Sequence, residues 1–239
     1  NYPDTIQLGD VNNIDFTQFI GKIDLLLGGS PCQDLSIAKQ NRQGLKGERS
    51  KLFWKYVEAL NIVKPKWFIF ENVASMKKED KDIITKTLGV EPIMINSALV
   101  SAQQRKRLYW TNVPGVQQPE DKHIYLQDIL EKYVDSEYYL KNNYLEWFNK
   151  NKDYNLKKKF CSLNAKKAIT LTARQYASWR GNYIEDSFGI RKLTPIECER
   201  LQTLHDNYTE GISDTQRYKC IGNGWTVDVI VHILKHINY

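Results

Sequence analysis

Two short segments carry side chains that suit nucleophilic and acid–base chemistry. Gly29-Ser30-Pro31-Cys32-Gln33 places a thiol just after an apolar run, and Glu71-Asn72-Val73 places a carboxyl group just after another. A thiolate can add to an electrophilic ring carbon while a carboxyl group assists at a ring nitrogen. The alternatives are that Cys32 is a buried structural cysteine, and that Glu71 only caps a helix or pairs with an arginine.

Basic side chains follow in Gln104-Arg105-Lys106-Arg107. Arg105 and Arg107 alternate, so they are predicted to share one face of an extended segment. Guanidinium groups hold carboxylates and phosphates in a two-pronged geometry. The pair therefore indicates a partner for Glu71 or for a phosphate. The alternative is that the two arginines only form a solvent-exposed strand face with no function.

Alternating strands and helices are predicted to position these segments. The sequence predicts strands over residues 5–8, 22–27, 67–70, 92–96 and 107–110, and helices over residues 49–63 and 81–88. This alternation is typical of an α/β fold with a mainly parallel sheet. Because such folds bind ligands at the carboxyl ends of their strands, Cys32 and Glu71 are expected at one cleft.

The character of the chain changes near residue 115, where tyrosines become dense and helical periodicity weakens. Residues 115–191 are predicted to form a small inserted unit between a catalytic segment, residues 1–114, and its C-terminal part, residues 192–239. Thr194, Pro195 and Glu197 predict a capped helix start. A last amphipathic helix is predicted over residues 225–237, with its inward face formed by Val227, Ile230, Val231, Leu234 and Ile237.

Composition restricts the class of protein. The 239 residues are 41% hydrophobic and 26% charged, with a net charge of +6, which is ordinary for a globular protein and permits a polyanionic partner. No apolar run is long enough for a membrane helix, so no membrane partner is expected. The four cysteines are too scattered for a disulfide framework or a metal site. We expect a cytoplasmic or nucleoid-associated protein of a bacterium or phage.

Four motifs together resemble the DNA (cytosine-5) methyltransferase family. They are Pro31-Cys32-Gln33, Glu71-Asn72-Val73, Gln104-Arg105-Lys106-Arg107 and Gly222-Asn223-Gly224-Trp225, in that order. The resemblance runs from Gly9-Asp10-Val11 to the last residue and is weakest in the insert. Asp34-Leu35-Ser36 and residues 109–115 resemble the mammalian de novo branch in particular. The resemblance implies a Rossmann-like methyltransferase fold whose insert is a target-recognition region.

The resemblance also implies a mechanism. Cys32 would add to C6 of a cytosine flipped out of double-stranded DNA, and C5 would accept a methyl group from S-adenosylmethionine. Glu71 would hydrogen-bond N3 and the exocyclic amine. Arg107 would contact the flipped base, Arg105 would polarise the thiol or bind a nearby phosphate, and Asn72 would brace the two loops.

Binding residues are implied in the same way. The cofactor would be held by Asp10, at its adenine edge, and by Pro31, Leu52, Asn223 and Trp225. DNA would be contacted by Gln33 and Ser36 on a closing loop, and in the insert by Thr172, Arg174 and Lys158, with Lys157, Lys159, Thr170 and Arg180 beside them. Trp225 could equally be a core aromatic residue at a helix start.

The sequence departs from the family pattern at one place. The glycine-rich motif Phe-x-Gly-x-Gly, which holds the methionine part of the cofactor, and the acidic residue for its ribose are absent. A fragment, a split enzyme with a complementary subunit, and a degenerate regulatory partner would each explain this. We expect a fragment that alone binds the cofactor poorly and methylates nothing.

Two other classes of protein remain as alternatives. A non-catalytic DNA-binding module would keep the basic surface and the insert without needing a reactive cysteine. A thiol hydrolase would require a histidine base, and none of the four histidines lies in a strand-end motif.

Overall fold

The computed structural model describes residues 1–31, 35, 45, 51–176 and 181–237. These residues form two compact units. Unit 1 comprises Asn1–Ile95, Lys106–Gln118 and Ile233–Tyr239, and unit 2 comprises Asn96–Arg105 and Pro119–His232. The division into a catalytic segment, residues 1–114, an inserted unit, residues 115–191, and a C-terminal part, residues 192–239, stays a prediction.

Strands and helices alternate in the first half of the chain. The strands are β1 (Leu25–Gly28), β2 (Trp67–Val73), β3 (Ile93–Asn96), β4 (Lys106–Thr111), β5 (Cys161–Leu163), β6 (Gly181–Asp186) and β7 (Gly189–Lys192). The helices are α1 (Leu52–Val63), α2 (Lys78–Leu88), α3 (Asn142–Lys157), α4 (Pro195–Leu201), α5 (Asp214–Asn223) and α6 (Val227–Leu234). The predicted α/β class is confirmed. Within the described ranges, no helix combines the length and apolar character that a membrane span requires.

A four-stranded sheet in the order β1-β2-β4-β3 organises unit 1. β1 and β2 are parallel, with Gly28 opposite Phe70, so their carboxyl ends reach the same edge. β4 runs antiparallel to β2, with Glu71 opposite Tyr109 and Val73 opposite Arg107. This register brings the chain that leaves β1 beside the last residues of β2. The expectation that Cys32 and Glu71 share one cleft stays a prediction.

Aromatic packing holds α1 on this sheet. The helix predicted over residues 49–63 is confirmed as α1, and Phe53 and Tyr56 on its apolar stripe are buried. Their ring centroids lie 5.3 and 4.9 Å from that of Phe70. Trp110 extends the cluster at 5.9 Å from Phe70, and its indole N–H donates to Thr85 Oγ1 at 2.9 Å. Large aromatic surfaces with their polar atoms satisfied are an efficient way to fill such a core.

Unit 2 contains the β5-β6-β7 sheet and helices α3, α4 and α5. α3 packs on the sheet through Phe148, whose ring centroid lies 4.7 Å from that of Tyr183. The sequence did not predict α3, because its 16 residues bury only Phe148 and Asn155. A helix with so narrow a buried face leaves almost no apolar periodicity in the sequence.

Two predictions about elements are wrong. Residues 5–8 form no strand, and Ile6 is 83% exposed. A strand needs a neighbour to complete its hydrogen bonds, and no described strand pairs with this segment. In α6 the buried face is Val229, Ile230 and Ile233, whereas Val227 and Val231 are exposed. Since α6 is apolar on nearly every side, its periodicity could not identify the buried face.

A buried ion pair fixes the start of α4. Thr194 caps the helix, accepting from the Glu197 N–H at 3.1 Å, and Glu197 Oε2 accepts from the Thr194 N–H at 2.9 Å, as predicted. Arg191 of β7 donates to both oxygens of Glu197, each at 2.8 Å. Arg191 is 2% exposed and Glu197 is fully buried. The pair therefore ties the small sheet to α4.

Removal of one partner from this pair should destabilise the chain strongly. Arg191→Ala leaves the Glu197 carboxylate buried and without its guanidinium, which costs about 3–5 kcal/mol of unfolding free energy. Urea unfolding followed by circular dichroism measures the loss. Lys122→Ala is the matched control, because Lys122 pairs with Asp228 at an exposed position and should contribute little. Equal losses for the two variants would contradict this account.

Candidate active site

A buried amide joins the ends of β1 and β2. Asn72 is 1% exposed, and its Nδ2 donates to the carbonyl and hydroxyl oxygens of Ser30 at 3.2 and 3.0 Å. Its Oδ1 accepts from the Val73 N–H at 2.8 Å. Ser30 lies two residues before Cys32 in the chain, so this contact supports the bracing role predicted for Asn72. Cys32 itself, together with Gln33 and Ser36, lies outside the described residues.

The last residue of β1 must be small. A Cβ atom on Gly28 would lie 2.5 Å from the Tyr56 ring, closer than side-chain atoms can approach. The absence of a side chain allows α1 to pack directly against the strand end. Gly28 thereby sets the position from which the chain enters the cysteine-bearing segment.

A carboxylate and a guanidinium face each other across β2 and β4. The Nε of Arg107 lies 2.7 Å from Oε1 of Glu71, and the two side chains are 12% and 11% exposed. Since Glu71 is opposite Tyr109, Arg107 occupies the diagonal position two residues away on the same face. Arg107 also donates to the Lys106 carbonyl at 2.9 Å. The pair places a charge-complementary donor and acceptor at the end of β2, where it remains slightly accessible.

Arg105 is held within unit 2. It is 4% exposed and donates to the carbonyls of Leu171 at 3.0 Å and Gly224 at 2.8 Å. β4 begins at Lys106, so strand alternation, which was the reason to place Arg105 and Arg107 on one face, does not extend to Arg105. The role of Arg105 at a reactive thiol stays a prediction.

The residues expected to hold the cofactor have suitable chemistry. Asp10 is exposed and caps a short 3-10 turn, where its Oδ1 accepts from the N–H and the side-chain amide of Asn12 at 3.0 and 2.9 Å. A carboxylate offers about four acceptor positions, so Asp10 suits the amino edge of an adenine. Pro31 and Leu52 of unit 1 are half-buried. In unit 2, Asn223 is exposed and Trp225 is half-buried. These residues fit an adenosyl group, and their roles stay predictions.

The residues expected to contact DNA lie at the surface of unit 2. Thr172, Arg174 and Lys158 are exposed. Thr172 Oγ1 accepts from the Arg174 N–H at 3.3 Å, which shapes a local turn, and Lys158 follows the last residue of α3. Exposure is what a contact with phosphate or base edges requires, and these roles also stay predictions.

Two contributors to these arrangements were not predicted. Ser30 supplies both acceptors for Asn72, and Gln103 is fully buried and hydrogen-bonded in unit 2. Each residue lies beside a motif that was identified. The signal available in the sequence was a polar residue close to an identified motif. This signal could not name the partners, because they lie far away in the sequence.

The described residues define an α/β protein with a carboxylate–arginine pair near the carboxyl end of a strand, next to the Asn72–Ser30 contact. The chain belongs to the C-5 cytosine-specific DNA methylase family, whose model matches residues 1–239. The resemblance inferred from the four motifs is therefore confirmed.

Individual relatives agree with this assignment. The chain is 30% identical to the type II methyltransferase M1.ScrFI of Lactococcus lactis subsp. cremoris, over 93% of the chain and 64% of that protein. It is 29% identical to the type II methyltransferase M.HpaII of Haemophilus parainfluenzae, over 93% of the chain and 74% of that protein. The chain thus spans less than two thirds of the length of M1.ScrFI.

Solved structures share the fold. The methyltransferase EhMeth of Entamoeba histolytica superposes with a TM-score of 0.78 at 18% identity, over 98% of this chain and 83% of that one. A DNMT2 mutant of Spodoptera frugiperda superposes with a TM-score of 0.71 at 18% identity, over 98% of this chain and 86% of that one. These likenesses confirm the expected Rossmann-like methyltransferase fold.

Loss of the Asn72 amide should weaken unit 1. Asn72→Ala leaves the Ser30 carbonyl and the Val73 N–H without their buried partner, so we expect a loss of about 2 kcal/mol in unfolding free energy. Denaturant titration measures it. Asn112→Ala is the matched control, since Asn112 makes similar backbone bonds to Phe68 and Lys66 but is exposed. A smaller loss for Asn72→Ala than for Asn112→Ala would refute the bracing role.

Proposed function

We propose that this chain carries the nucleophile and the acid–base pair of a DNA cytosine-5 methyltransferase. The observation that carries the proposal is the Glu71–Arg107 ion pair, at 2.7 Å, at the strand end beside the Asn72–Ser30 contact. Membership of the C-5 cytosine-specific DNA methylase family supports it. A non-catalytic DNA-binding module would need neither a buried carboxylate at this position nor a bracing amide behind it.

The proposed reaction begins at Cys32. Its thiolate adds to C6 of a cytosine, forming an S–C6 bond while the 5,6 double bond opens and C5 becomes nucleophilic. S-adenosylmethionine, when bound, supplies an electrophilic methyl group. Transfer of the C5 proton to water and cleavage of the S–C6 bond then restore the 5,6 double bond and release the thiolate. The chain must therefore stabilise a ring that is temporarily more basic at N3.

Glu71 and Arg107 meet this requirement as a pair. The carboxyl group of Glu71 hydrogen-bonds N3 and the exocyclic amine, which supports proton transfer at the ring nitrogen. Arg107 holds that carboxyl group in one orientation and contacts the base. Preorganised donors stabilise charge as it develops because they need no reorganisation during the reaction. Asn72 and Arg105 are proposed to support this pair by positioning the neighbouring chain, without contact to the base.

Cofactor binding is assigned to five residues of suitable chemistry. The Asp10 carboxylate accepts from the adenine amine, and Pro31 and Leu52 supply apolar contacts. Asn223 and Trp225 contribute from the segment after α5, where the indole of Trp225 offers an aromatic face.

The proposed substrate is double-stranded DNA with one cytosine flipped out, because C5 and C6 are inaccessible within a base stack. Gln33 and Ser36 contact DNA from the cysteine-bearing segment. Thr172, Arg174 and Lys158 contact it from the insert, where guanidinium and ammonium groups bind phosphates or base edges.

A complementary segment is the second proposed partner. β1 is an all-apolar strand at the edge of the described sheet, and Leu27 is 39% exposed. Among the described strands β1 has a partner on one side, β2, and the open edge of an apolar strand is normally paired or covered. We therefore infer that a segment with the glycine-rich cofactor motif, from the same gene or a separate subunit, pairs along β1.

Covalent trapping tests the proposed nucleophile. DNA that contains 5-fluorocytosine should form a stable adduct with the chain when the glycine-rich segment and S-adenosylmethionine are supplied. Fluorine at C5 cannot leave as a cation in the way that a proton does, so the S–C6 bond persists. Denaturing gel electrophoresis followed by mass spectrometry detects the adduct on Cys32. Cys32→Ser should give none, whereas Cys220→Ser should behave like wild type. If wild type forms no adduct while it binds DNA, the non-catalytic module is favoured instead.

Loss of the Glu71 carboxyl group should change the rate of methylation more than it changes the affinity for DNA. Glu71→Gln keeps the shape and a contact for Arg107 but removes the acid. With the glycine-rich segment and S-adenosylmethionine supplied, single-turnover methylation should therefore slow by about 10²–10⁴-fold. DNA affinity, measured by fluorescence anisotropy, should change little. Glu58→Gln, at a partly exposed position on α1, is the control. Methylation by Glu71→Gln at the wild-type rate would exclude the acid–base role.

A further inference from the structure

One buried guanidinium is bonded to two distant chain segments of unit 2. Arg105 Nη1 donates to the Leu171 carbonyl at 3.0 Å, and Nη2 donates to the carbonyls of Gly224 at 2.8 Å and Gly222 at 3.4 Å. The first carbonyl begins the recognition segment, defined here as Leu171–Arg174. The other two belong to the α5 end, defined here as Gly222–Gly224. A single side chain thus joins the two segments.

The two segments also touch through their backbones. A Cβ atom on Gly222 would lie 2.3 Å from the carbonyl carbon and oxygen of Thr172. These are backbone atoms, so no side-chain rotation could relieve the overlap. Only glycine permits this approach, and any larger residue must separate the segments.

A second set of buried hydrogen bonds links the same segments. Gln103 accepts from the Leu171 N–H at 3.2 Å and donates to Gln202 Oε1 at 2.8 Å. Gln202 in turn donates to the Ile221 carbonyl at 2.8 Å and the Gly224 carbonyl at 3.2 Å. Both glutamines are fully buried. Buried polar networks of this kind specify one arrangement of their partners.

We infer that Arg105 is a positioning residue that holds the recognition segment against the α5 end. The inference rests on the proposed function, in which Thr172 and Arg174 contact DNA. Arg105 then affects DNA binding through the orientation of Arg174.

The same guanidinium also acts next to the proposed cofactor residues. Asn223 lies between the two glycines whose carbonyls accept from Arg105, and Trp225 follows them. The DNA-contacting and cofactor-contacting segments of unit 2 are therefore fixed by one side chain.

Lysine distinguishes positioning from a direct phosphate contact. A guanidinium is a planar fork that can donate to several carbonyls in fixed directions, whereas an ammonium is a compact point charge. If Arg105 bound a phosphate, Arg105→Lys would retain much of the affinity for DNA. If Arg105 positions the recognition segment, Arg105→Lys should be nearly as damaging as Arg105→Ala.

A double-mutant cycle on DNA affinity tests the inference. Fluorescence anisotropy with a labelled duplex should show about tenfold weaker binding for Arg105→Lys and for Arg174→Ala. Arg174→Ala in the Arg105→Lys background should weaken binding by no more than about twofold further, because the misplaced Arg174 contact is already lost. Arg200→Lys, at an arginine that pairs with Asp206, is the control and should bind like wild type. Wild-type affinity of Arg105→Lys, or a full additional effect of Arg174→Ala, would overturn the inference.

Hydrogen–deuterium exchange provides a measurement that does not depend on DNA binding. In Arg105→Lys and in Gly222→Ala, peptides covering residues 170–175 and 222–226 should exchange about tenfold faster, while peptides of α3 keep wild-type protection. Unchanged exchange in both segments, or an equal increase throughout the chain, would reject positioning. If the wild-type chain fails to bind DNA, the proposed function is refuted, and exchange alone decides whether Arg105 holds the two segments.

Discussion

The parallel register of β1 and β2 is the constraint on which the rest of the site depends. Gly28 lies opposite Phe70, so β2 continues beyond the end of β1 through Glu71, Asn72 and Val73. The Tyr56 ring leaves room only for glycine at that point, and the Asn72 amide then secures the next turn of chain through Ser30. A shift of one residue would turn each β2 side chain to the opposite face of the sheet. In the proposed reaction, this register would decide whether the Cys32 thiol and the Glu71 carboxyl group can reach one ring.

Each unit contains a buried ion pair, and the two pairs differ in how much of their side chains is exposed. Arg191 and Glu197 are almost completely enclosed, and their bidentate contact serves packing between β7 and α4. Glu71 and Arg107 are equally close, yet both retain about a tenth of their exposure. An enclosed pair cannot exchange its hydrogen bonds with a ligand, whereas a partly open pair can accept a base at modest desolvation cost. This difference in accessibility separates a structural ion pair from a candidate catalytic one.

How much of the fold the sequence predicts depends on how local its determinants are. The α1 stripe and the Thr194 cap were predictable because every interaction that defines them lies within a few residues. The segment 5–8 was mistaken for a strand because a strand is completed only by a neighbour. The polar helix α3 and the buried face of α6 were missed for opposite reasons: α3 buries too few side chains to show a period, and α6 carries too many apolar ones to indicate a face.

The same reasoning explains the candidate site, where residue types were more predictable than partners. Because Arg105 and Arg107 are two residues apart, they were predicted to share one face of a strand. Side chains alternate in this way only inside a strand, and β4 begins at Lys106. Arg107 therefore pairs with Glu71 in unit 1, whereas Gln103 and Arg105 bond to carbonyls and amides in unit 2. The five residues Gln103–Arg107 therefore make contacts within both units. In the proposed enzyme, substitution of Arg105 would reduce turnover without any contact to the reacting ring, so rates alone cannot assign its role. Separate measurements of affinity and of local exchange are needed because the two arginines act through different neighbours.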